Sequence, residues 1–222
     1  MRTYGQYCPI ARGAEIFAER WTPIIMRNVL MGCATFTEIQ RGAPGIPRSL
    51  LTQRLALLEH RGILERLPHP HGRGARYVPT EAGKDLAQVC FALGEWGARW
   101  LDVAPVHLDP YVALWSMSNN LAVDRLPDRR VVIRFDFPRQ PRKTSRFWLL
   151  VEHRKGEVCV TCPGDEDLVI TADAEAFVRW QAGRLTWAAA TAHDAIRING
   201  PRPLARAFPS WNGPDLFAHI KP

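Results

Sequence analysis

The chain has no run of about 18 apolar residues, the minimum expected for a membrane-spanning helix, and it does not open on an apolar stretch typical of a signal peptide. Its five cysteines are odd in number and scattered, which disfavours a secreted disulfide framework. These absences predict a cytoplasmic protein with no membrane partner. Lysine is also scarce, with four residues against 25 arginines, and arginine suits bidentate contacts to phosphate better than lysine.

The sequence also lacks the marks of common catalytic sites, because it has no glycine-rich phosphate loop and no nucleophile elbow. Cys159 and Cys162 spell C-x-x-C in a predicted strand, where residues three apart face opposite sides. Buried structural thiols are therefore favoured over a redox pair. His193-Asp194 is expected at a helix end, and His69 and His71 lack ligands at metal-site spacing. We expect no catalytic residue, metal or cofactor.

The size of the chain fits one large domain or two small ones, and its charge permits a polyanionic partner such as nucleic acid. It has 222 residues, a formal net charge of +7 and a sequence pI near 9.5. We place the boundaries at 1–103 and 104–222, with a linker over 104–110. Seven arginines lie between Arg41 and Arg76 against two acidic residues, Glu59 and Glu65. This local concentration favours a nucleic-acid surface more strongly than the overall charge does.

The stretch from Pro47 to Gly62, PRSLLTQRLALLEHRG, is predicted to be an amphipathic helix. Its Leu51, Leu55 and Leu58 follow at i, i+4 and i+7, which places them on one buried stripe. The opposite side carries Ser49, Thr52, Gln53, Ala56 and His60. Short polar side chains with arginines beside them are typical of a helix that enters the DNA major groove. A solvated surface helix explains this stretch alone equally well.

A short helix and a tight turn precede that stretch. Thr35 and Glu38 form a T-x-x-E capping box, and the glycine- and proline-bearing segment 42–45 ends the helix. A short helix, a turn and a longer helix with a polar outer face indicate a helix-turn-helix motif, whose second helix contacts the DNA. Further upstream, Cys8-Pro9 and Thr22-Pro23 predict two more helix starts, with Thr22 as an N-cap.

Two short strands, residues 63–67 and 75–78, flank the turn-rich segment PHPHGRG and predict a β-hairpin, or wing. Arg73 lies in the tip and Arg76 just beyond it. An arginine there can enter a minor groove or meet phosphates, and a solvated loop is the alternative.

A long helix is predicted from Glu81 to about Leu101, capped by Thr80. Two tryptophans late on this helix, Trp96 and Trp100, are difficult to bury within a small domain. We expect the helix to help form a homodimer. Packing within one chain is nearly as good an explanation.

Eight motifs in the first half occur in the order typical of HxlR-type winged-helix regulators, which this half resembles over about residues 5 to 100. They are Cys8-Pro9-Ile10, Arg20-Trp21-Thr22, Phe36-Thr37-Glu38-Ile39, Pro44-Gly45-Ile46, Leu51-Thr52-Gln53-Arg54-Leu55, Leu58-Glu59, Gly62-Ile63-Leu64 and Tyr77-Val78-Pro79-Thr80. The resemblance implies a dimer bound to double-stranded operator DNA. It also implies a sensor role for Cys8, because some members respond to oxidants or electrophiles. Pro47 stands where many members have a serine N-cap.

These patterns assign the DNA contacts. Base contacts are expected from Ser49, Thr52, Gln53 and His60. Phosphate or minor-groove contacts are expected from Arg48, Arg54, Arg73 and Arg76.

The second half is predicted to be α+β, with an antiparallel sheet as its core. Helices are expected at 111–123, 174–181, 185–192 and 203–208. Strands are expected at 130–137, 147–152, 157–161, 167–171 and 195–199. The strands 147–152 and 157–161 are expected to form a hairpin that turns at Lys155-Gly156. The acidic run Asp165-Glu166-Asp167 is expected to be a solvated turn.

This half resembles the sterol-carrier-protein-like fold over about residues 110 to 210, a weaker match than the first. The motifs are Asp167-Leu168-Val169-Ile170-Thr171-Ala172-Asp173, Gln181-Ala182-Gly183 with Leu185, and Ile196-Arg197-Ile198-Asn199-Gly200. The resemblance implies a strand, a helix and a strand that line an apolar tunnel for lipid-like ligands. Candidate lining residues are Trp148, Phe177, Trp180 and Trp187, and ordinary core packing is the alternative for each.

The resulting hypothesis is a mainly α winged helix-turn-helix domain followed by an α+β sterol-carrier-like domain. The protein would be a dimeric transcriptional regulator, not an enzyme, controlled by an apolar small molecule bound to its second domain. Two alternatives remain. Cys8 would be the switch of a thiol-based redox or electrophile sensor, or the protein would be a lipid-like carrier or small enzyme whose helix-turn-helix is a scaffold.

Overall fold

The computed structural model describes residues 3–70, 74–102, 104–213 and 216–220, apart from the side chain of Pro105. The chain divides into two compact units, Met1–Trp96 and Gly97–Pro222. Among the described helices, none has both the length and the apolar composition needed to cross a membrane.

The first unit begins with four helices: α1 (Pro9–Phe17), α2 (Thr22–Leu30), α3 (Phe36–Arg41) and α4 (Arg48–His60). Their core is aliphatic, and Ile25 and Met26 of α2 are completely buried. The predicted N-cap of α2 is wrong by one position. Trp21, with a φ of 78°, is the N-cap, and Thr22 is already helical. The proline at the next position starts the helix without losing a hydrogen bond.

A hairpin and a long helix complete this unit. Strands β1 (Leu64–Pro68) and β2 (Ala75–Pro79) pair antiparallel, with Pro68 opposite Ala75. Helix α5 (Glu81–Trp100) follows, and its last turn falls in the second unit. The Thr80 hydroxyl oxygen accepts a hydrogen bond from the Gly83 N–H, as the predicted cap requires.

In the described residues of the second unit, four helices are present: α6 (Pro110–Asn119), α7 (Ala174–Gln181), α8 (Trp187–Thr191) and α9 (Arg202–Ala207). Its strands are β3 (Val131–Asp136), β4 (Arg146–Glu152), β5 (Lys155–Cys159), β6 (Leu168–Ala172) and β7 (Ile196–Asn199). Single 3₁₀ turns lie at Pro105–His107, Val123–Arg125, Ala192–Asp194 and Phe208–Trp211. The 3₁₀ turn at 192–194 puts His193-Asp194 after α8, as expected.

The five strands form one sheet in the order β5-β4-β3-β6-β7. The expected all-antiparallel sheet is wrong at one place, because β3 and β6 run parallel, with Ile133 opposite Leu168. The connection from β5 must therefore pass across β4 and β3 before β6 can begin. The hairpin of β4 and β5 also turns two residues earlier than predicted. His153 and Arg154 both have positive φ, which matches a two-residue turn between Glu152 and Lys155.

One face of the sheet is packed with aromatic side chains. Phe135 of β3 lies with its ring centroid 5.4 Å from that of Phe177 on α7, and Phe208 lies 6.0 Å from Trp211. All four are buried. This cluster forms the core of the second unit.

The acidic run is only partly the solvated turn that the sequence predicts: Asp165 is exposed in a bend, but the two carboxylates after it are bound to the sheet. The indole N–H of Trp148 donates to Glu166 across 2.8 Å, and Arg134 donates to the same carboxylate. Asp167 accepts from the Val132 backbone N–H and from Arg129. These carboxylates fasten the β5–β6 crossover to the sheet. Their partners come from distant strands, so sequence spacing did not reveal them.

The two C-x-x-C thiols are also not buried together. Cys159 ends β5 and is half-buried, whereas Cys162 lies on the crossover and is exposed. The expectation of buried structural thiols is wrong for Cys162, because the strand ends at Cys159 and the chain turns outward.

Candidate nucleic-acid interface

Helix α3 and the turn after it are held in place by hydrogen bonds at both ends. At the start, the Thr35 hydroxyl accepts from the Glu38 N–H, and the Glu38 carboxylate accepts from the Thr35 N–H at 2.8 Å. Burial would raise the pKa of Glu38, but the hydrogen bonds from Thr35 and Ala34 outweigh it and lower the pKa. The predicted capping box is confirmed.

At the other end of α3, two polar residues of α2 anchor the turn. Asn28 is fully buried and donates to the Ile39 carbonyl across 2.9 Å. Arg27 donates to the Asn28 side-chain oxygen and to the Gly42 carbonyl. Neither role was predicted from the sequence. The available signal was a polar Arg-Asn pair inside the otherwise apolar helix IIMRNVLM.

Helix α4 buries Leu51, Leu55 and Leu58 completely or nearly so. Its other side exposes Ser49, Thr52 and Gln53 within the first two turns. The Thr52 hydroxyl donates to the Arg48 carbonyl across 3.0 Å. It can therefore only accept a further hydrogen bond, or meet a thymine methyl group with its own methyl.

Arg48 is held at the entrance to α4. Its guanidinium donates to Gln40 across 3.1 Å and lies 4.8 Å from the centre of the Phe36 ring. A guanidinium has five N–H donors, so most of them remain for an external anion. The residue is exposed, which suits a phosphate contact.

Arg54 does not fit the phosphate role assigned from the sequence. It donates to Glu19 across 2.6 Å, and its side chain is only 18% exposed. Glu19 lies 35 positions earlier in the chain. Because of this separation, the ion pair could not be predicted from local sequence.

The other predicted contacts are spread over a larger surface. His60 is exposed, but it is the last residue of α4. At a rise of about 1.5 Å per residue, it lies about 16 Å along the helix axis from Ser49. Arg76 is half-buried on β2, which reaches the motif directly: the Tyr77 N–H donates to the Ala34 carbonyl across 2.7 Å. Arg73 lies outside the described residues.

The thiols of the first unit differ in surroundings. Cys8 is half-buried at the N-cap of α1, and its side chain makes no capping hydrogen bond. Cys33 is buried, and burial, with a smaller effect of Glu38, raises the pKa of its thiol to about 11. Cys33 is therefore a neutral thiol near pH 7.

Helix α5 exposes an apolar stripe at i, i+4, i+7 and i+11. The exposed fractions are 44% for Val89, 49% for Leu93, 55% for Trp96 and 68% for Trp100. Gly83 is the one buried residue of this helix. Large apolar side chains in such a row favour a protein partner.

The four candidate pocket residues of the second unit do not form one site. Phe177 and Trp180 are buried in the aromatic core. Trp187 is half-buried and lines a surface groove. Trp148 lies on the other face of the sheet, because it alternates along β4 with the buried Phe147 and Leu149. In the described residues, no group of three or more His, Cys, Asp or Glu could hold a metal ion.

Comparisons with known proteins place the first unit in a family. The model of the HxlR-like helix-turn-helix family matches residues 16–105. An uncharacterized HTH-type transcriptional regulator of Bacillus subtilis, YvaP, is 31% identical over 107 residues, which make up 47% of this chain and 96% of that protein. The chain belongs to the HxlR-like helix-turn-helix family.

A further relative and a solved structure are similar to less than half of this chain. The uncharacterized HTH-type transcriptional regulator MT3179 of Mycobacterium tuberculosis is 36% identical over 93 residues, or 41% of this chain. The chain spans only 58% of the length of that relative. The reduced form of the regulator YodB from B. subtilis is 28% identical, with a TM-score of 0.38, over 44% of this chain and 97% of that chain. The function of the second unit must be argued from its own residues.

Proposed function

We propose that this HxlR-like protein is a dimeric transcriptional regulator that binds a specific operator sequence in double-stranded DNA. The observation that carries the proposal is the exposed polar row Ser49, Thr52 and Gln53 beside Arg48, at the start of α4. Side chains near the start of a recognition helix read base edges, and arginines beside them contact phosphates. The relatives named as transcriptional regulators support the same role.

The wing supports the proposal through its attachment to the motif. Because β2 is hydrogen-bonded to Ala34, directly before the N-cap of α3, the hairpin and α4 hold a fixed relation within the first unit. Arg76, and Arg73 in the hairpin tip, are proposed to contact the phosphates or the minor groove beside the site read by α4.

Dimer formation is proposed through α5. The stripe Val89, Leu93, Trp96 and Trp100 has the spacing of a helix seam, and tryptophan is among the residues most enriched at binding hot spots. A dimer would present two copies of α4 to successive major-groove segments about one helical turn apart.

The second unit is proposed to bind an apolar small molecule that controls DNA binding. Its element order is consistent with the sterol-carrier-like resemblance: helix α6, the antiparallel strands β3 to β5, the crossover strand β6, helices α7 and α8, strand β7 and helix α9. A groove lined by Trp187, Ile196 and Ile198 offers an apolar surface. Control requires the ligand to have different affinities for the DNA-binding and non-binding states.

The experiment that tests the proposal is a DNA-binding titration with the full chain and duplex fragments of its own upstream region, followed by fluorescence anisotropy over a salt series. We expect saturable binding that survives excess unrelated duplex, with log Kd rising linearly with log salt. Equal affinity for upstream and unrelated DNA would overturn sequence-specific regulation.

A second candidate is thiol-based sensing by Cys8. The favouring observation is its place at the N-cap of α1, half-buried and without a capping bond. The test compares operator binding before and after hydrogen peroxide or a quinone, in wild-type protein and Cys8→Ser. A full response in the variant would exclude Cys8 as the switch.

A third candidate is a lipid-like carrier or small enzyme in which the helix-turn-helix is a scaffold. The same DNA-binding titration distinguishes this candidate from a transcriptional regulator. Weak duplex binding that disappears at physiological salt would favour this role and would direct attention to the second unit.

A further inference from the structure

A groove of about 630 Å³ opens on the surface of the second unit between α8, β7, α9 and the 3₁₀ turn that follows. Its wall is apolar, with Trp187, Ile196, Ile198, Ala205 and Pro209. Its volume lies within the range of about 300–1,000 Å³ in which small-molecule sites fall. The groove can therefore hold the apolar body of a small ligand.

The apolar wall of the groove is held in place by packing against the core of the second unit. The Trp187 ring stands edge-on to Trp180, with centroids 4.8 Å apart, and lies 6.0 Å from the Phe208 ring. Trp180 and Phe208 belong to the buried core. A preformed apolar wall needs little ordering when a ligand binds.

Two arginines stand at the rim of this groove. Arg202 and Arg206 are exposed residues one helical turn apart on α9, so their side chains share one face. In the part of the chain that the structure describes, neither has a hydrogen bond or an ion pair. Eight other arginines of this unit are paired or hydrogen-bonded: Arg129, Arg130, Arg134, Arg139, Arg146, Arg154, Arg179 and Arg184.

The other polar groups of the groove do not compete for an anion. The Thr191 hydroxyl donates to the Trp187 carbonyl across 3.0 Å, and the Ser210 hydroxyl donates to the Ala207 carbonyl across 2.7 Å. Polar recognition in the groove therefore rests on the two guanidinium groups. Two like charges at this spacing repel each other until an anion joins them.

We propose that this groove binds an amphipathic carboxylate, such as a medium-chain fatty acid or an arylalkanoic acid. The carboxylate pairs with Arg202 and Arg206, since planar guanidinium groups bind carboxylates in bidentate fashion. The apolar body lies against Trp187, Ile196 and Ile198. The inference rests on the proposed function, because it gives the chemical class of the effector of the second unit.

The test is isothermal titration calorimetry of the full chain with three monomeric probes of equal chain length: decanoate, decan-1-ol and decyltrimethylammonium. We expect decanoate to bind most tightly and the cation not to bind. The variant Arg202→Gln/Arg206→Gln should bind decanoate at least about tenfold more weakly, the loss expected for hydrogen bonds to a charged group. Its matched control is Arg125→Gln/Arg142→Gln, which removes two exposed arginines of the same unit that do not line the groove and should bind like wild type.

A second variant tests the apolar wall. Ala205→Phe on α9 should weaken the binding of both decanoate and decan-1-ol, with circular dichroism verifying that both variants remain folded. The proposal is overturned if decan-1-ol binds as tightly as decanoate, or if the double arginine variant binds decanoate like wild type. It is also overturned if the protein binds vesicles of anionic phospholipid but not monomeric decanoate.

The experiments distinguish a failure of the proposed carboxylate site from a failure of the proposed regulatory function. Decanoate that binds through Arg202 and Arg206 but leaves operator affinity unchanged supports the groove and refutes ligand control. Operator binding without decanoate binding refutes the groove and leaves the DNA-binding role supported.

Discussion

The guanidinium of Arg54 on α4 donates to the carboxylate of Glu19 across 2.6 Å. Glu19 lies just after α1, the helix that begins next to Cys8. The ion pair thus joins the helix proposed to read DNA to the segment that carries the proposed sensor thiol. It also removes one arginine from the set available to phosphates.

Arg54→Gln should lower stability and leave the salt dependence of DNA binding unchanged. Because the pair is mostly buried, we expect a loss of about 1–2 kcal/mol in the free energy of unfolding, measured by urea denaturation. Arg48→Gln is the matched variant, and it should reduce the slope of log affinity against log salt by about 0.9. A reduced slope for Arg54→Gln would contradict its internal role.

Gln53→Ala should weaken operator binding by about 1–3 kcal/mol and leave binding to unrelated duplex unchanged, because a base contact discriminates sequences whereas a phosphate contact does not. Anisotropy titrations with both duplexes measure the difference. Gln140→Ala, the same change in the second unit, is the control. An equal loss on both duplexes would show that Gln53 does not read bases.

Trp96→Glu on α5 should convert a dimer into monomers, because a charge would be buried in the apolar seam. Sedimentation velocity measures the mass of the species. Val106→Glu changes an apolar residue that is 85% exposed and lies off the stripe, so it should keep the mass of wild type. A dimer that survives Trp96→Glu would place the interface elsewhere.

Cys33 should resist alkylation in the folded protein, since its pKa of about 11 keeps the thiol protonated and thiolates are the reactive form. Mass mapping after iodoacetamide treatment near neutral pH should find Cys162 modified before Cys33.

The same pKa has a consequence for stability. In the unfolded chain the Cys33 thiol ionises from its ordinary value of 9.0, so unfolding becomes more favourable as pH rises from there to about 11. Urea denaturation should show this fall in wild type, and Cys33→Ala should lack that part of it.

Asp167→Asn should remove part of the stability that the second unit has at neutral pH. Burial opposes ionisation of this carboxyl, but the Val132 N–H and Arg129 outweigh it, so the pKa lies below its ordinary value of 3.8. A lowered pKa stabilises the fold above that value, and the benefit disappears as pH falls through the lower one. Denaturation curves should show the variant to be less stable than wild type at neutral pH, and the two should converge at acid pH. Asp124→Asn, at an exposed position, is the control.

The sequence predicted most elements because their signals are local. The Thr35–Glu38 box, the leucine stripe of α4 and the span Ala174–Gln181 of α7 all depend on spacing within one element. The helix-turn-helix could be placed for the same reason, since its parts follow one another directly.

The errors arose where distant residues meet. The Arg54–Glu19 pair, the anchoring of the acidic crossover by Arg129 and Arg134, and the parallel pairing of β3 with β6 all join segments more than 30 positions apart. Trp148 was assigned to a pocket from its residue type, but its strand register turns it to the opposite face. Local pattern contains no information on such partners.

The parallel pairing at the centre of the sheet also orders events during folding. Ile133 can pair with Leu168 only after the chain has been synthesised through β4, β5 and the crossover between β5 and β6. Contacts between such distant segments form slowly, because the chain between them must first close into a loop. The three-stranded meander of β3, β4 and β5 can form earlier, because its strands follow one another in the chain. Until β6 pairs with β3, these three strands leave the edge of β3 open, and an open strand edge can pair with another chain.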